Sequence, residues 1–272
     1  MNEASSSIAV HIVIPVYNGA AFIEKTISSI RAQTHKNLSI CVVDDWSDDS
    51  TPEIVLDICR NDSRVRYHRA PRKFGGPAGP RNYGTTLTDA IYVAFCDADD
   101  IWHPMKLEIQ IGIMHERSLG FSCTAVRKFS DESEFDLASS LSGLHESTLL
   151  NTVGMLGRNS VATSSVVLLS EIARELNGFD ESSELVAVED YDFWLRILDD
   201  GKTVGMKIET ELVGYRLVST SLSSKKAKQV KRVFLVHKLH FERGRLKMGS
   251  AFFSVFSLSL FAFFWLLNKS GR

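Results

Sequence analysis

The stretch "AIYVAFCDADDIWHP", residues 90–104, decides how this chain is read. An apolar run ends abruptly in Asp97, Asp99 and Asp100, three acids within four positions. A short apolar run bounded by turn residues reads as a buried strand. Carboxylates crowded at a strand end repel one another and resist desolvation unless a positive group sits among them. An acidic turn or helix cap could explain "DADD" alone, so the rest of the chain has to say whether these acids hold something.

Working outward, three more strand candidates precede this one. "IAVHIVIP", "LSICVVDD" and "VRYHRA" read as strands, and "AAFIEKTISSIRAQ" places Phe22, Ile23, Ile27 and Ile30 on one helical stripe. "STPEIVLDIC" opens a second helix, with Ser50 or Thr51 as cap, Pro52 in its first turn and Glu53 completing a capping box. "PMKLEIQIGIMHER" is a further helix. Strand and helix alternate through residue 118, which predicts an α/β fold with a mostly parallel sheet covered by helices.

The second half is less regular. The polar, Ser-rich residues 130–150 read as a mobile loop. "SVATSSVVLLS" is a strand candidate, "VEDYDFWLRILDDG" a short helix ending at Gly201, and "KTVGMKI" and "ELVGYRL" two later strands. From Lys225 to Lys247 nine Lys or Arg face one acid, Glu242, in a stretch that looks helical. "SAFFSVFSLSLFAFFWLL", residues 250–267, carries no charge; as a helix it falls just short of a typical hydrocarbon core and reads as a spanning helix first, with an in-plane or re-entrant anchor or a hydrophobic packing helix as the alternatives. The chain thus divides into an α/β domain over 1–223, itself in halves 1–118 and 119–223, and a basic, hydrophobic appendage over 224–272.

Bulk properties narrow the classes. With 272 residues, 44% hydrophobic and 24% charged, the chain can bury a full core. A net charge of −2 gives no bias toward nucleic acid. The four cysteines form no CxxC pair and read as buried thiols, and the N-terminal stretch lacks the basic start and apolar core of a signal peptide.

In a parallel sheet, ligands bind beyond the carboxyl ends of the strands. Here those ends carry "PVYNG", "DDWSDD", "RKFGGPAGPRNYG" and "DADD". No G-x-G-x-x-G follows the first strand, and P-loop, H-E-x-x-H and G-x-S-x-G motifs are absent. Clustered carboxylates repel a diphosphate, and a hard divalent cation removes the conflict. Mg²⁺ or Mn²⁺ uses one or two carboxylates and completes its shell with phosphate oxygens and water. The acids therefore predict a cation, and the cation a phosphorylated ligand.

"VIPVYNGAAFIEKTISSIRAQT", "VVDDWSDDST", "GGPAGPRNYG" and "FCDADDIWHPMKLE" resemble the nucleotide-sugar half of inverting family 2 glycosyltransferases of GT-A fold. "NGFDE" and "VEDYDFWLRIL" resemble the acceptor half, and "YRLVSTSLSS" is similar to a motif of bacterial surface-polysaccharide and teichuronic acid-type enzymes. The resemblance covers residues 8–223 and implies roles by position. Pro15, Tyr17 and Asn18 line a nucleotide pocket, Asp45 accepts from the base, favouring UDP-sugars, and Arg81 approaches the nucleotide. Asp97 and Asp99 form a D-x-D pair, Asp99 being the more direct metal ligand. Asp190 is the general base. Independently of the resemblance, Gly79 and Pro80 look like a helix cap and first position, which places Arg81 in a first turn suited to anions. Asp190 shares a stripe with Trp194 and Ile197, and Glu189 and Asp192 compete with it as candidate bases. Trp194 reads as core. Where relatives carry a His after the Tyr-Arg pair this chain has Val218, leaving Arg216 or Ser221 as weaker substitutes, and Pro77 and Pro80 stiffen the Gly-rich loop.

The implied activity is metal-dependent transfer of a sugar from a nucleotide-sugar donor to a saccharide or lipid-linked saccharide acceptor. It would take place at the cytoplasmic face of the cell membrane, with residues 225–267 meeting the membrane surface. The rivals are a sugar-nucleotide nucleotidyltransferase and a non-catalytic nucleotide-sugar-binding membrane protein. The missing Gly-rich loop after the first strand speaks against the former, and the intact Asp97, Asp99 and Asp190 against the latter.

Overall fold

A computed structural model describes residues 7–130, 146–217 and 226–243. The first half follows the alternation read from the sequence: β1 (Val10–Val16), α1 (Ile23–Arg31), β2 (Leu38–Asp44), α2 (Thr51–Asn61), β3 (Val65–Arg69), α3 (Ala78–Thr86), β4 (Tyr92–Phe95), the short β5 (Ile101–Trp102) and α4 (Lys106–Glu116). Then come β6 (Phe121–Phe129), β7 (Ser147–Leu150), α5 (Thr152–Gly157), a 3₁₀ turn at Thr163–Ser165, β8 (Val167–Leu169), α6 (Ser170–Glu175), α7 (Glu189–Asp199), β9 (Gly205–Arg216) and α8 (Lys226–Glu242).

Strands from both halves form one sheet in the order β3-β2-β1-β4-β8-β6-β9-β5, with β7 paired to β9. Every residue of β1 is buried because the strand is flanked by β2 and β4 and covered on both faces. Its side chains alternate: Val13 joins one apolar cluster, while Ile12 and Ile14 join the cluster on the opposite face. The first cluster includes Phe95, Phe121, Phe179 and Trp194, and the second includes Ile27, Trp102 and Ile111.

The sheet is mixed, which corrects the mostly parallel expectation. β1, β2, β3 and β4 run parallel, but β8 enters antiparallel to both β4 and β6, and β5 and β7 pair antiparallel with β9. Pairing direction depends on chain returns in the second half, which have no periodic signal. The two strands expected over "KTVGMKI" and "ELVGYRL" are one twelve-residue strand, β9. Glu209 and Thr210 resemble a break, yet Glu209 is held in place by Lys207 Nζ at 2.6 Å and Thr148 Oγ1 at 3.1 Å, and a register shift against β6 absorbs the irregularity. Of the loop expected over 130–150, residues 147–150 are strand β7; 131–145 lie outside the described residues.

Two helix starts also differ. α2 has no side-chain cap from Ser50 and no capping box; Asp49 Oδ1 accepts the Thr51 N–H at 2.9 Å instead. α3 begins at Ala78, so Arg81 is its fourth residue and its N–H already donates to the Pro77 carbonyl at 3.1 Å. α3 packs on β1 and β2 through Gly84. A Cβ there would meet Val13 Cγ1 at 2.5 Å and Val43 Cγ2 at 3.2 Å. Gly84→Ala gains up to about 1 kcal/mol of helix propensity but overpacks two central β-branched residues at roughly 1–3 kcal/mol. The clash wins, so a lower melting temperature is expected in a thermal scan.

α8 confirms the helical reading of the basic stretch and lies against α7. Tyr191 and His237 meet at 2.9 Å, and His240 sits between Asp192 and Asp199. Among the described residues no helix is long and apolar enough to cross a membrane. The apolar segment 250–267, with Val218 and Ser221, lies outside them. All four thiols are free, and Cys41, Cys96 and Cys123 are buried as the sequence implied, whereas Cys59 is only half-buried.

Candidate active site

Parallel pairing of β1, β2, β3 and β4 brings their carboxyl ends to one rim. Pro15 is buried inside β1, opposite Val43. Tyr17 is half exposed just beyond, with Lys73 Nζ 4.4 Å above its ring. Asn18 has a left-handed backbone, φ 52°, and is locked to the β2 loop: its N–H donates to Ser47 Oγ at 2.9 Å and its side chain exchanges bonds with Asp48. Asp45 is buried and accepts from the Phe74 and Gly75 amides at 2.6 and 2.8 Å. Gly75 presents that amide at φ 76°, where a Cβ would be strained. The carboxylate retains acceptor sites beyond these two bonds.

The loop closed on Asp45 leads into α3 and Arg81. Arg81 is buried and forked: one NH donates to Glu189 Oε1 at 2.8 Å, the other to Asp97 Oδ1 at 2.6 Å. Burial works against its charge, but Asp97 and Glu189 outweigh that and hold its pKa above the ordinary value. The guanidinium is therefore committed to two carboxylates and is not a free arm in a helix first turn.

Those carboxylates belong to two parts of the rim. Asp97 follows β4; its N–H donates to Ser164 Oγ at 2.9 Å, and a third of its side chain remains exposed. Asp99 is half-buried; burial and the Asp97 charge push it up to about 6, with Arg216 pulling the other way. Asp100 is fully buried, accepting from Ser164 Oγ at 2.5 Å and from the Arg216 N–H at 2.9 Å. Arg216 also donates to the Asp99 carbonyl at 2.9 Å, its guanidinium lying between the rings of Phe22 and Phe129. Asp100 thus braces the turn, and Asp97 and Asp99 face outward.

Among the described residues no three His, Cys, Asp or Glu side chains form a metal cage. The Asp97–Asp99 pair nevertheless fits a hard divalent cation that borrows ligands from phosphate and water. Two carboxylates share one turn, and their mutual repulsion is what such an ion relieves.

α7 supplies the remaining acids, and their partners separate them. Glu189 is buried and paired with Arg81. Asp192 is fully buried on the far side, beside His240 and bonded to Arg196 and Arg243, and these partners, His240 foremost, outweigh burial and hold it below the usual carboxylate range. Of these three acids Asp190 alone is partly exposed and, among the described residues, has no ion-pair partner; Thr163 Oγ1 donates to its Oδ2 at 3.0 Å and the Tyr191 N–H to its Oδ1 at 2.7 Å. Burial first, then the Glu189 charge, pushes its pKa up to about 7; Arg81 and Thr163 pull the other way. A carboxylate with that pKa can accept a proton at neutral pH and pass it on. Trp194, as expected, is core, stacked on Phe121 at 5.4 Å.

Arg81, Asp97 and Glu189 are therefore one ion-paired network, to which Asp190 and Asp99 are coupled by charge and Asp45 through the loop into α3, while Asp192 stands apart with Arg196 and Arg243. Sequence reading missed the connectors. Thr163 and Ser164 lie in "SVATSSVVLLS", where three consecutive hydroxyl residues inside an apolar run were the available signal. Trp46, beside Asp45, holds φ 69°, a conformation costly for a bulky residue; its ring stacks under Arg69 at 4.3 Å and its N–H reaches the Ala70 carbonyl.

This arrangement has counterparts. Residues 11–165, more than half of the chain, match Glycosyl transferase family 2. The chain belongs to that family. This family 2 glycosyltransferase is 31% identical over 239 residues to the putative teichuronic acid biosynthesis glycosyltransferase TuaG of Bacillus subtilis, covering 85% of this chain and 90% of TuaG. It is 32% identical over 223 residues to the UDP-Glc:alpha-D-GlcNAc-diphosphoundecaprenol beta-1,3-glucosyltransferase WfgD of Escherichia coli, covering 82% and 83%. An uncharacterized glycosyltransferase of Rickettsia felis is 38% identical over 126 residues, 46% of this chain but only 20% of that protein. The chain thus spans about a fifth of that relative's length. The fold is similar to S. aureus TarS 1–349 in complex with UDP-GlcNAc, with TM-score 0.69 and 17% identity over 85% of this chain and 65% of that one. It is also similar to the mannosyltransferase PcManGT of Pyrobaculum calidifontis in complex with GDP-Man and Mn²⁺, with TM-score 0.67 and 16% identity over 86% and 64%. These likenesses identify a GT-A-like α/β fold with a mixed sheet flanked by helices.

Proposed function

We propose that this family 2 glycosyltransferase moves a sugar, with inversion, from a UDP-sugar to a hydroxyl of a lipid-linked saccharide used in cell-surface polysaccharide assembly. The observation that carries this reading is the separation of the α7 acids: Glu189 and Asp192 are consumed by ion pairs, while Asp190 is partly exposed and neutral-poised. WfgD and TuaG support the substrate class.

Asp190 takes the proton of the acceptor hydroxyl as its oxygen bonds to the anomeric carbon. The bond from that carbon to the diphosphate breaks on the opposite face, and the nucleotide leaves with its electron pair. Asp45, Tyr17, Pro15 and Asn18 bind the nucleoside, and Asp97 and Asp99 would hold Mg²⁺ or Mn²⁺. Such an ion would supply charge neutralisation for the leaving diphosphate. Arg81 keeps the Asp97 turn and α7 in register, and its own charge lies close to the diphosphate site. Residues 1–118 serve as the donor half and 119–223 as the acceptor half.

Membrane contact is part of the reading. α8 exposes Lys231, Phe234 and Lys238 along one side, suited to an anionic lipid surface at the cytoplasmic face. Residues 225–267 would supply the contact.

A thermal-shift panel tests donor and metal together. UDP-sugars near 100-fold above their Kd stabilise a site by about 2.7 kcal/mol, so a rise of several degrees is expected with Mn²⁺ and a smaller one with EDTA. A response to GDP-sugars alone would overturn the UDP assignment, and equal shifts with and without the ion would overturn metal dependence. Turnover is tested separately, by release of UDP and formation of a glycosylated lipid-diphosphate acceptor.

A further inference from the structure

One short turn touches both halves of the catalytic apparatus. The 3₁₀ turn Thr163–Ser165 is buried, and its backbone is pinned from behind: Trp102 Nε1 donates to the Ser164 carbonyl at 2.8 Å and Gln110 Nε2 to the Ser165 carbonyl at 3.0 Å. Its side chains point two ways. Thr163 Oγ1 donates to Asp190 Oδ2 at 3.0 Å. Ser164 Oγ accepts from the Asp97 N–H at 2.9 Å and donates to Asp100 Oδ2 at 2.5 Å. Adjacent residues on one rigid turn thus hold the acid of α7 and the acidic turn after β4.

We infer that Thr163 and Ser164 are positioning residues for sugar transfer: Thr163 orients the Asp190 carboxylate toward the acceptor, and Ser164 sets the Asp97–Asp100 turn that receives the diphosphate. This rests on the proposed transferase activity. A hydroxyl donor at Oδ2 stabilises the ionised carboxylate and leaves its other lone pairs for the incoming hydroxyl. The charged groups facing Asp190 are Glu189 on its own helix and Arg81 on α3, with Asp97 beyond Arg81. None of them donates a hydrogen bond to Asp190, so its orientation falls to Thr163 and the Tyr191 amide. The same two hydroxyls also fix the spacing between the proton acceptor and the leaving group, which a displacement reaction needs held to a fraction of an ångström.

The test compares Thr163→Val, Thr163→Ser and Ser164→Ala with the wild type, each first matched for folding by thermal melt. UDP release from the UDP-sugar giving the largest thermal shift is followed across pH, and UDP binding with Mn²⁺ is measured by calorimetry. Thr163→Val is expected to lower kcat on the order of tenfold, to move the acid limb of kcat/KM to higher pH, and to leave UDP affinity unchanged. Thr163→Ser should restore most of the rate and the limb. Ser164→Ala should weaken UDP binding and raise the donor KM while the acid limb stays in place. The inference is overturned if Thr163→Val and wild type share one pH profile, if Thr163→Ser fails as badly as Thr163→Val, or if Ser164→Ala leaves UDP affinity unaltered. No turnover by the wild type would instead contradict the transferase reading, whereas the calorimetric arm still decides the role of Ser164.

Discussion

Asp190→Asn is expected to lower kcat by about 10²–10⁴-fold with little change in donor KM. Asparagine keeps the shape and can still accept from Thr163, but it cannot take a proton. Stability should not fall with activity. An unfolded Asp ionises near 4, whereas Asp190 in the fold ionises at about 7. Between those values the folded chain holds a proton that the unfolded chain has released, so this group's contribution to stability is lost as pH rises through that window. At neutral pH a permanently uncharged side chain removes that penalty. A melting temperature equal to or above the wild type, with activity down a hundredfold or more, separates a missing base from a damaged fold. Glu189→Gln and Asp192→Asn should behave differently, because each leaves a buried arginine short of its partner.

Arg81→Met should have the largest effect on stability. It removes the shared partner of Glu189 Oε1 and Asp97 Oδ1, and Glu189 is buried with nowhere to relax. Breaking a buried ion pair from one side costs about 3–5 kcal/mol, more than the pair itself contributes. For a chain of this size each kcal/mol moves the melting temperature by roughly 2–4 °C, so a drop on the order of 10 °C is expected. Arg81→Lys should recover little, since an ammonium cannot span both carboxylates in the planar fork. Adding Glu189→Gln to Arg81→Met removes the stranded charge and should restore part of the melting temperature without restoring turnover. Recovery of both would mean that Arg81 serves the fold alone.

The parts of this molecule that were legible in its sequence are those where one physical signal dominates. β1, β2 and β4 are apolar runs with turn residues at their ends, and parallel pairing then requires the loops carrying Tyr17, Asp45 and Asp97 to share a rim. Trp194 reads as core from its spacing alone. The pairing directions of β5, β7 and β8 were not legible, because two to four residues carry no usable period. β9 reads as two strands because Glu209 and Thr210 interrupt the apolar pattern, and the Thr148 hydroxyl that helps hold Glu209 comes from a distant strand. The site divides in the same way. Asp97 and Asp99 stand out as an acidic cluster at a strand end, whereas in sequence only the family resemblance separates Asp190 from Glu189 and Asp192; the fork joining Arg81 to Glu189 spans 108 residues of sequence, and the Ser164–Asp100 bond spans 64. Contacts of that kind follow from topology, which the alternating first half implied and the second half did not.

The most direct test is the pH dependence of kcat/KM for wild type and Asp190→Asn, measured side by side from about pH 5 to 9 with saturating Mn²⁺. An acid limb in the wild type with an apparent pKa near 7, absent from the residual activity of Asp190→Asn, is the expected result. An identical limb in both proteins, or an Asp190→Asn enzyme as fast as the wild type, would contradict a proton-accepting role for Asp190 opposite the leaving diphosphate.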